Sequence, residues 1–168
     1  GGLICTPKNP DCRQCPLTEV CRARLRGTVA DRPVPAKRRE IILITMATAI
    51  LSHEGRVFIQ QRLADDIWGG LWEFPGGKQQ EGESLPDCLQ REICEELDVA
   101  VEVGAQAGVY RHAYTHFRLT LHAFFCHLPS GDPRPLQVAD LRWVSLPELA
   151  AYPMGKVDRQ IALSLLKR

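Results

Sequence analysis

No apolar run in this chain is long enough to cross a membrane. The longest, Ile41 to Leu51, is broken by Thr45 and Thr48, whereas a spanning helix needs about 20 predominantly apolar residues. No basic segment followed by a greasy one opens the sequence, so there is no secretory signal to recognise and a cytoplasmic location is expected. Internal repeats and low-complexity tracts are also missing, which leaves solenoids and disordered tails aside. What remains is an ordinary globular composition, 45% hydrophobic and 24% charged over 168 residues. That length suits one main domain with an appendage. Gly1 does not look like a natural start, so the chain reads as a fragment.

The net charge of +1 conceals an uneven distribution. Residues 1–40 hold nine Lys and Arg against four Asp and Glu, and residues 41–168 hold twelve against sixteen. A segment carrying Arg13, Arg22, Arg24, Arg26, Lys37, Arg38 and Arg39 could lie along nucleic-acid phosphates or form a solvated connector. The Cys-, Pro- and Arg-rich opening ends near Arg26, and residues 27–40, with Pro33 and Pro35, read as an extended linker.

From Ile41 the pattern changes to strands. Ile41 to Leu51 and Val57 to Arg62 form a hairpin around Gly55, and further strands are expected at about 99–110, 117–128 and 141–144. Helical spacing covers Ser84 to Leu97, with Ser84 as N-cap and Pro86 in the first turn, and returns from about Lys156 to Lys167. Strands between two well-separated helices indicate a mixed α/β domain.

The first of these helices carries the chemistry. At about 100° per residue, Glu92, Glu95 and Glu96 share one face, while Leu89, Ile93 and Leu97 form an adjacent apolar stripe. Like charges at these spacings repel by roughly 0.2 to 0.5 kcal/mol per pair, so the face suits a cation. A hard divalent ion such as Mg²⁺, held by a few carboxylates, water and phosphate oxygens, is the natural candidate. Upstream, Glu73-Phe-Pro-Gly-Gly-Lys78 brings paired glycines that permit close backbone approach.

Residues 77–99 together resemble the signature of the Nudix family: Gly77, Glu83, then Arg91-Glu92-Ile-Cys-Glu95-Glu96-Leu-Asp98-Val99. Asp98 stands where the pattern has Gly, a substitution Asp tolerates because it enters left-handed backbone more easily than most residues. The resemblance implies an α/β/α sandwich around a mixed sheet, with Mg²⁺ or Mn²⁺ on the box. Glu92, Glu95, Glu96 and the Gly77 carbonyl would be metal ligands, Arg91 would orient a glutamate, and Glu83 would be an accessory acid. It further implies attack of a metal-activated water on a diphosphate. Asp140 lies roughly where family members carry another acid, and Asp158 about where MutT-type enzymes place a base-reading residue.

The opening holds Cys5, Cys12, Cys15 and Cys21. Without a secretory signal, such short spacing favours a metal site over disulfides, and thiolates select zinc or iron–sulfur. The spacing, with Pro16 after the third cysteine, resembles the 4Fe-4S loop that ends the catalytic domain of endonuclease III and MutY-type glycosylases. Cys88, Cys94 and Cys126 lack any such pattern and read as ordinary thiols.

A cluster loop over residues 1–26, a linker over 27–40 and a Nudix domain over 41–168 resemble in that order the C-terminal region of a MutY-type adenine DNA glycosylase. In that family the MutT-like domain recognises 8-oxoguanine opposite adenine in duplex DNA. Tyr114-Thr115-His116-Phe117 is similar to the loop that makes this contact; the alternative is a strand-edge cluster in which these residues only pack. Glycosylase activity would need the preceding helical domain. The box, meanwhile, retains each acidic position, which implies hydrolysis of 8-oxo-dGTP or a related oxidised purine nucleotide. The alternative is a stand-alone MutT-type pyrophosphohydrolase with no DNA role. A monomer is expected. Trp68 and Trp72 flank the glycines before the box and could stack on a base or anchor the loop.

Overall fold

The computed structural model describes residues 2–34 and 41–167. Two compact units divide between residues 40 and 41. Lys37, Arg38 and Arg39 of the basic connector lie outside the described residues.

Among its described residues the first unit has one short helix, α1 (Arg22–Leu25), and is otherwise built from polar turns. Asp11 Oδ1 accepts from the backbone N–H of Arg13 and Gln14, while Thr18 Oγ1 and Arg24 Nη1 both donate to the Cys12 carbonyl, at 2.6 and 2.9 Å. Gly27, at φ 66°, ends α1. Its N–H donates to Arg24 O and that of Thr28 to Ala23 O, the paired bonds of a Schellman motif. This corrects the expectation of extended chain from residue 27. The glycine reverses the backbone, and turns closed by Asp31 N to Thr28 O and Arg32 N to Val29 O follow.

The second unit is a seven-stranded mixed sheet with a helix on each face. Strand β1 (Ile42–His53) runs through its centre, and β2 (Arg56–Gln61) returns beside it. Glu54 and Gly55, both at positive φ, supply the two-residue reversal such hairpins require. Two short strands, β3 (Trp72–Glu73) and β4 (Gly76–Lys78), pair with β2 and β1. Neither was expected, because two and three residues within a Gly-rich loop carry no readable periodicity. Strand β5 (Glu102–Ala113) pairs antiparallel with β6 (Phe117–His127), and β6 lies parallel to β1 from Ile42↔Phe117 to Leu51↔Cys126. Strand β7 (Asp140–Ser145) adds to β2 and is followed by a 3-10 turn over Pro147–Ala151.

Period-two alternation sorts the core onto two sides. Ala47, Ala49 and Leu51 of β1, with Phe58, Phe124 and Cys126, bury against Cys88, Leu89, Ile93 and Leu97 of α2 (Leu85–Leu97). Ile50, Ile59, Leu119, Leu121 and Ala123 face the opposite way, against Val157, Ile161, Ala162 and Leu165 of α3 (Lys156–Leu165). Ser84 caps α2 by accepting from Asp87 N at 3.2 Å, and Asp98 ends it in the left-handed region at φ 58°. The apolar stripe read from the sequence is thus the packed face. The acidic face beside it is left for the site.

Candidate active site

Three carboxylates of the box converge on one guanidinium. Arg91 donates to both oxygens of Glu83, to Glu92 Oε1 at 2.9 Å and to Glu95 Oε2 at 3.3 Å, and also to the Lys78 carbonyl. Hydrogen bonds from Arg91 and from the Gln80 backbone hold the Glu83 carboxyl down at about 2. Gly77 sits directly under Glu92, where an added Cβ would come within 2.1 Å of the Glu92 Cδ. Only glycine lets the carboxylate lie over that stretch of backbone. The strand carrying it is itself held close, since a Cβ on Gly76, at φ 144°, would meet Ala47 O at 2.2 Å. Thr48 pins the preceding loop by donating to Phe74 O and Pro75 O.

Glu96 stands apart from Arg91, on the other side of the acidic face. It accepts from Gln60 Nε2 at 2.8 Å, and the same nitrogen donates to Glu73 Oε1 at 3.4 Å. Burial pushes the Glu96 carboxyl up to about 7 against the Gln60 hydrogen bond, with the charges of Glu73 and Glu92 adding to the rise. Burial likewise raises Glu73, opposed by an ion pair with Arg62 at 2.8 Å. Glu73, Gln60 and Arg62 were not picked out from the sequence as site residues. The signal available was a run of polar residues, Gln60-Gln61-Arg62, ending an otherwise apolar strand. Asp140, expected as the further acid, is taken up by Arg142 at 3.0 Å. Glu73 is the acid that shares the Gln60 amide with Glu96.

Beside Glu73 opens a cavity of about 290 Å³, with Tyr114, Trp68, Trp72, Lys156 and Asp158 among its walls. Asp158 Oδ1 accepts from Phe74 N at 3.2 Å. Burial drives its carboxyl up to about 7, with the nearby charge of Glu73 contributing. Tyr114 stacks on Phe117 at 4.4 Å and lies 5.3 Å from Trp68. Trp68 is half exposed and held at φ 61°, whereas Trp72 is buried against Tyr152. Of the expected base-reading residues, Tyr114 and Asp158 therefore share one cavity. Thr115 and His116 sit at the exposed tip of the β5–β6 loop and do not line it.

In the first unit, Cys5, Cys12, Cys15 and Cys21 line a single, largely apolar cavity of about 340 Å³, and none is in a disulfide. Among the described residues no three His, Cys, Asp or Glu side chains close around a point that a lone metal ion would fill. Thiolates are the donor set that zinc or an iron–sulfur cluster takes. Hard oxygen donors around Gly77, Glu92, Glu95 and Glu96 fit Mg²⁺ or Mn²⁺.

A sequence profile of the NUDIX domain matches residues 46–164. The CTP pyrophosphohydrolase of Escherichia coli K12 is 32% identical over 118 residues, covering 69% of this chain and 86% of that protein. The 8-oxo-dGTP diphosphatase of Proteus vulgaris is 35% identical over 78 residues, 46% of this chain and 70% of that protein. An adenine DNA glycosylase of Schizosaccharomyces pombe aligns with the whole chain at 22% identity, and the chain spans 47% of its length. Among solved structures, the E. coli ORF135 protein superposes with a TM-score of 0.66 at 29% identity, over 76% of this chain and 91% of that one. A MutT NUDIX hydrolase from Burkholderia pseudomallei gives 0.65 at 28%, over 72% and 95%.

Proposed function

The chain belongs to the Nudix family, and from that premise we propose that residues 41–168 form a divalent-metal-dependent pyrophosphohydrolase acting on an oxidised purine nucleoside triphosphate such as 8-oxo-dGTP. The observation that carries this reading is the position of Glu73, which shares the Gln60 amide with Glu96 and also lines the cavity that holds Asp158. Phosphate chemistry and base recognition are thereby contiguous.

Gly77, Glu92, Glu95 and Glu96 would hold the ion. When bound, Mg²⁺ or Mn²⁺ supplies the Lewis acidity that activates a water and offsets charge on the phosphoryl oxygens. Arg91 orients the glutamates, keeping Glu83, Glu92 and Glu95 on one side of the helix. Asp158, poised near neutrality, can both donate to and accept from a purine edge, and Tyr114 and Trp68 offer ring faces to the base. The test is release of pyrophosphate from a panel containing 8-oxo-dGTP, dGTP and CTP with Mg²⁺ present. Turnover of the oxidised nucleotide, lost in Glu95→Gln, is expected. No turnover of any nucleotide would overturn the proposal.

A second reading is favoured by the alignment of a glycosylase with the whole chain, cysteine segment included. In it, this chain is the C-terminal region of a MutY-type adenine DNA glycosylase, residues 1–26 carry a 4Fe-4S cluster on Cys5, Cys12, Cys15 and Cys21, and residues 27–40 link the domains. Thr115 and His116, exposed at the loop tip, would contact 8-oxoguanine in duplex DNA. In the full-length protein, Thr115→Ala with His116→Ala should reduce preference for 8-oxoguanine:adenine over guanine:adenine. Unchanged preference would defeat this role for the loop. The two readings are compatible within one protein.

A further inference from the structure

Gln60 is fully buried in β2 among Val57, Phe58 and Ile59, a place where an apolar side chain would ordinarily stand. Its amide nitrogen spends its hydrogens on two carboxylates, Glu96 Oε2 at 2.8 Å and Glu73 Oε1 at 3.4 Å. Its oxygen, Oε1, has no partner among the described residues. Turning the amide over would set that oxygen against two carboxylates, so the surrounding charges fix which end points at Glu96. A buried polar group left half unsatisfied is costly, and its position is best understood through what its other half holds.

We propose that Gln60 is a positioning residue for the metal-binding face: its amide clamps one oxygen of Glu96 and leaves the other to bind a divalent ion. The residue lies outside the Nudix signature, on a different element. Its role rests on the reading that Glu92, Glu95 and Glu96 bind the metal. A donor to the far oxygen of a ligating carboxylate fixes the ligand's rotamer, and losing such a partner typically weakens metal binding by about 10- to 100-fold.

Gln60→Met keeps the length of the side chain and removes the donor. Binding of Mn²⁺ alone, followed by electron paramagnetic resonance without nucleotide, should weaken by about 10-fold or more while circular dichroism shows the chain folded. In the parent protein, the side-chain amide signals of Gln60 should move in nuclear magnetic resonance spectra as Mg²⁺ saturates the site, whether or not the variant folds. A folded Gln60→Met that binds Mn²⁺ like the parent overturns the proposal. So do amide signals that stay fixed at saturation. A parent chain that binds no Mn²⁺ overturns both this role and the metal site. One that binds Mn²⁺ but hydrolyses no nucleotide defeats only the substrate reading.

Discussion

Arg91 grips Glu83 with two parallel hydrogen bonds, Nε to Oε1 at 2.7 Å and Nη2 to Oε2 at 3.0 Å. This fork-on-fork geometry is the strong form of a carboxylate–guanidinium contact. It ties the loop before α2 to the middle of the helix. Because the folded state holds Glu83 near 2, below its ordinary value of 4.5, the contact stabilises the fold above that ordinary value. The contribution is lost as pH falls from about 4.5 toward 2. Urea midpoints of the parent and Glu83→Gln should therefore differ most at neutral pH and converge in acid. A constant difference across that range would show that ionisation of Glu83 is not involved.

Gly77→Ala tests the close approach of helix and strand. Its new methyl would collide with the end of the Glu92 side chain rather than with backbone, so the fold should survive while that carboxylate swings away. The Mg²⁺ concentration giving half-maximal hydrolysis is expected to rise by about 10-fold or more, with the thermal midpoint little changed. An unaltered Mg²⁺ requirement would remove Glu92 from the ligand set.

Asp158 should leave a signature in stability against pH. Folding raises its carboxyl from 3.8 to about 7, chiefly by burial, so the native state holds a proton that the unfolded chain has already lost. Stability therefore falls as pH climbs through that interval and levels off above it. Asp158→Asn can still accept from Phe74 N and has no charge to bury. Relative to the parent it should gain stability between about pH 5 and 8, by up to a few kcal/mol. A pH-independent difference would mean that Asp158 is solvated.

Trp68 carries a bulky side chain at φ 61°, where a non-glycine residue costs about 1 to 2 kcal/mol. Trp68→Gly relieves that strain and loses the ring contacts with Tyr114 and Phe117, so the melting temperature should move by only a few degrees. If the indole stacks on the substrate base, KM rises about ten-fold with kcat nearly preserved. An unchanged KM would assign Trp68 to packing alone.

Much of this arrangement is written locally in the chain. Ser84, Pro86 and the stripe of Leu89, Ile93 and Leu97 define α2 because caps and helical periodicity act over a few residues. Asp98 takes the left-handed turn its chemistry allows. Contacts between distant segments are another matter. Gln60 and Glu73 reach Glu96 only because β2 and β3 pair beside the helix, and nothing in a strand's own pattern announces which polar residue turns inward. Tyr114 was legible as an aromatic beside Thr115 and His116 in the loop between two strands. Its place in the wall of the Asp158 cavity depends on the meeting of β6, α3 and the Trp68 loop.

The parallel pairing of β1 with β6 bears on how the molecule is made. Every residue from Gly77 to Val99 lies in the stretch between those strands, which align from Ile42↔Phe117 to Leu51↔Cys126. A parallel pair cannot be closed by a tight turn, and its loop entropy is spent before any contact rewards it. The acidic helix can form early through its own caps, yet Gln60, Arg62 and the cavity wall come to it only with the sheet. During synthesis, the glutamates emerge from the ribosome well before Phe117 to His127 can complete the central pairing. The acidic face is thus complete in the chain before the strand that closes the sheet around it has been made.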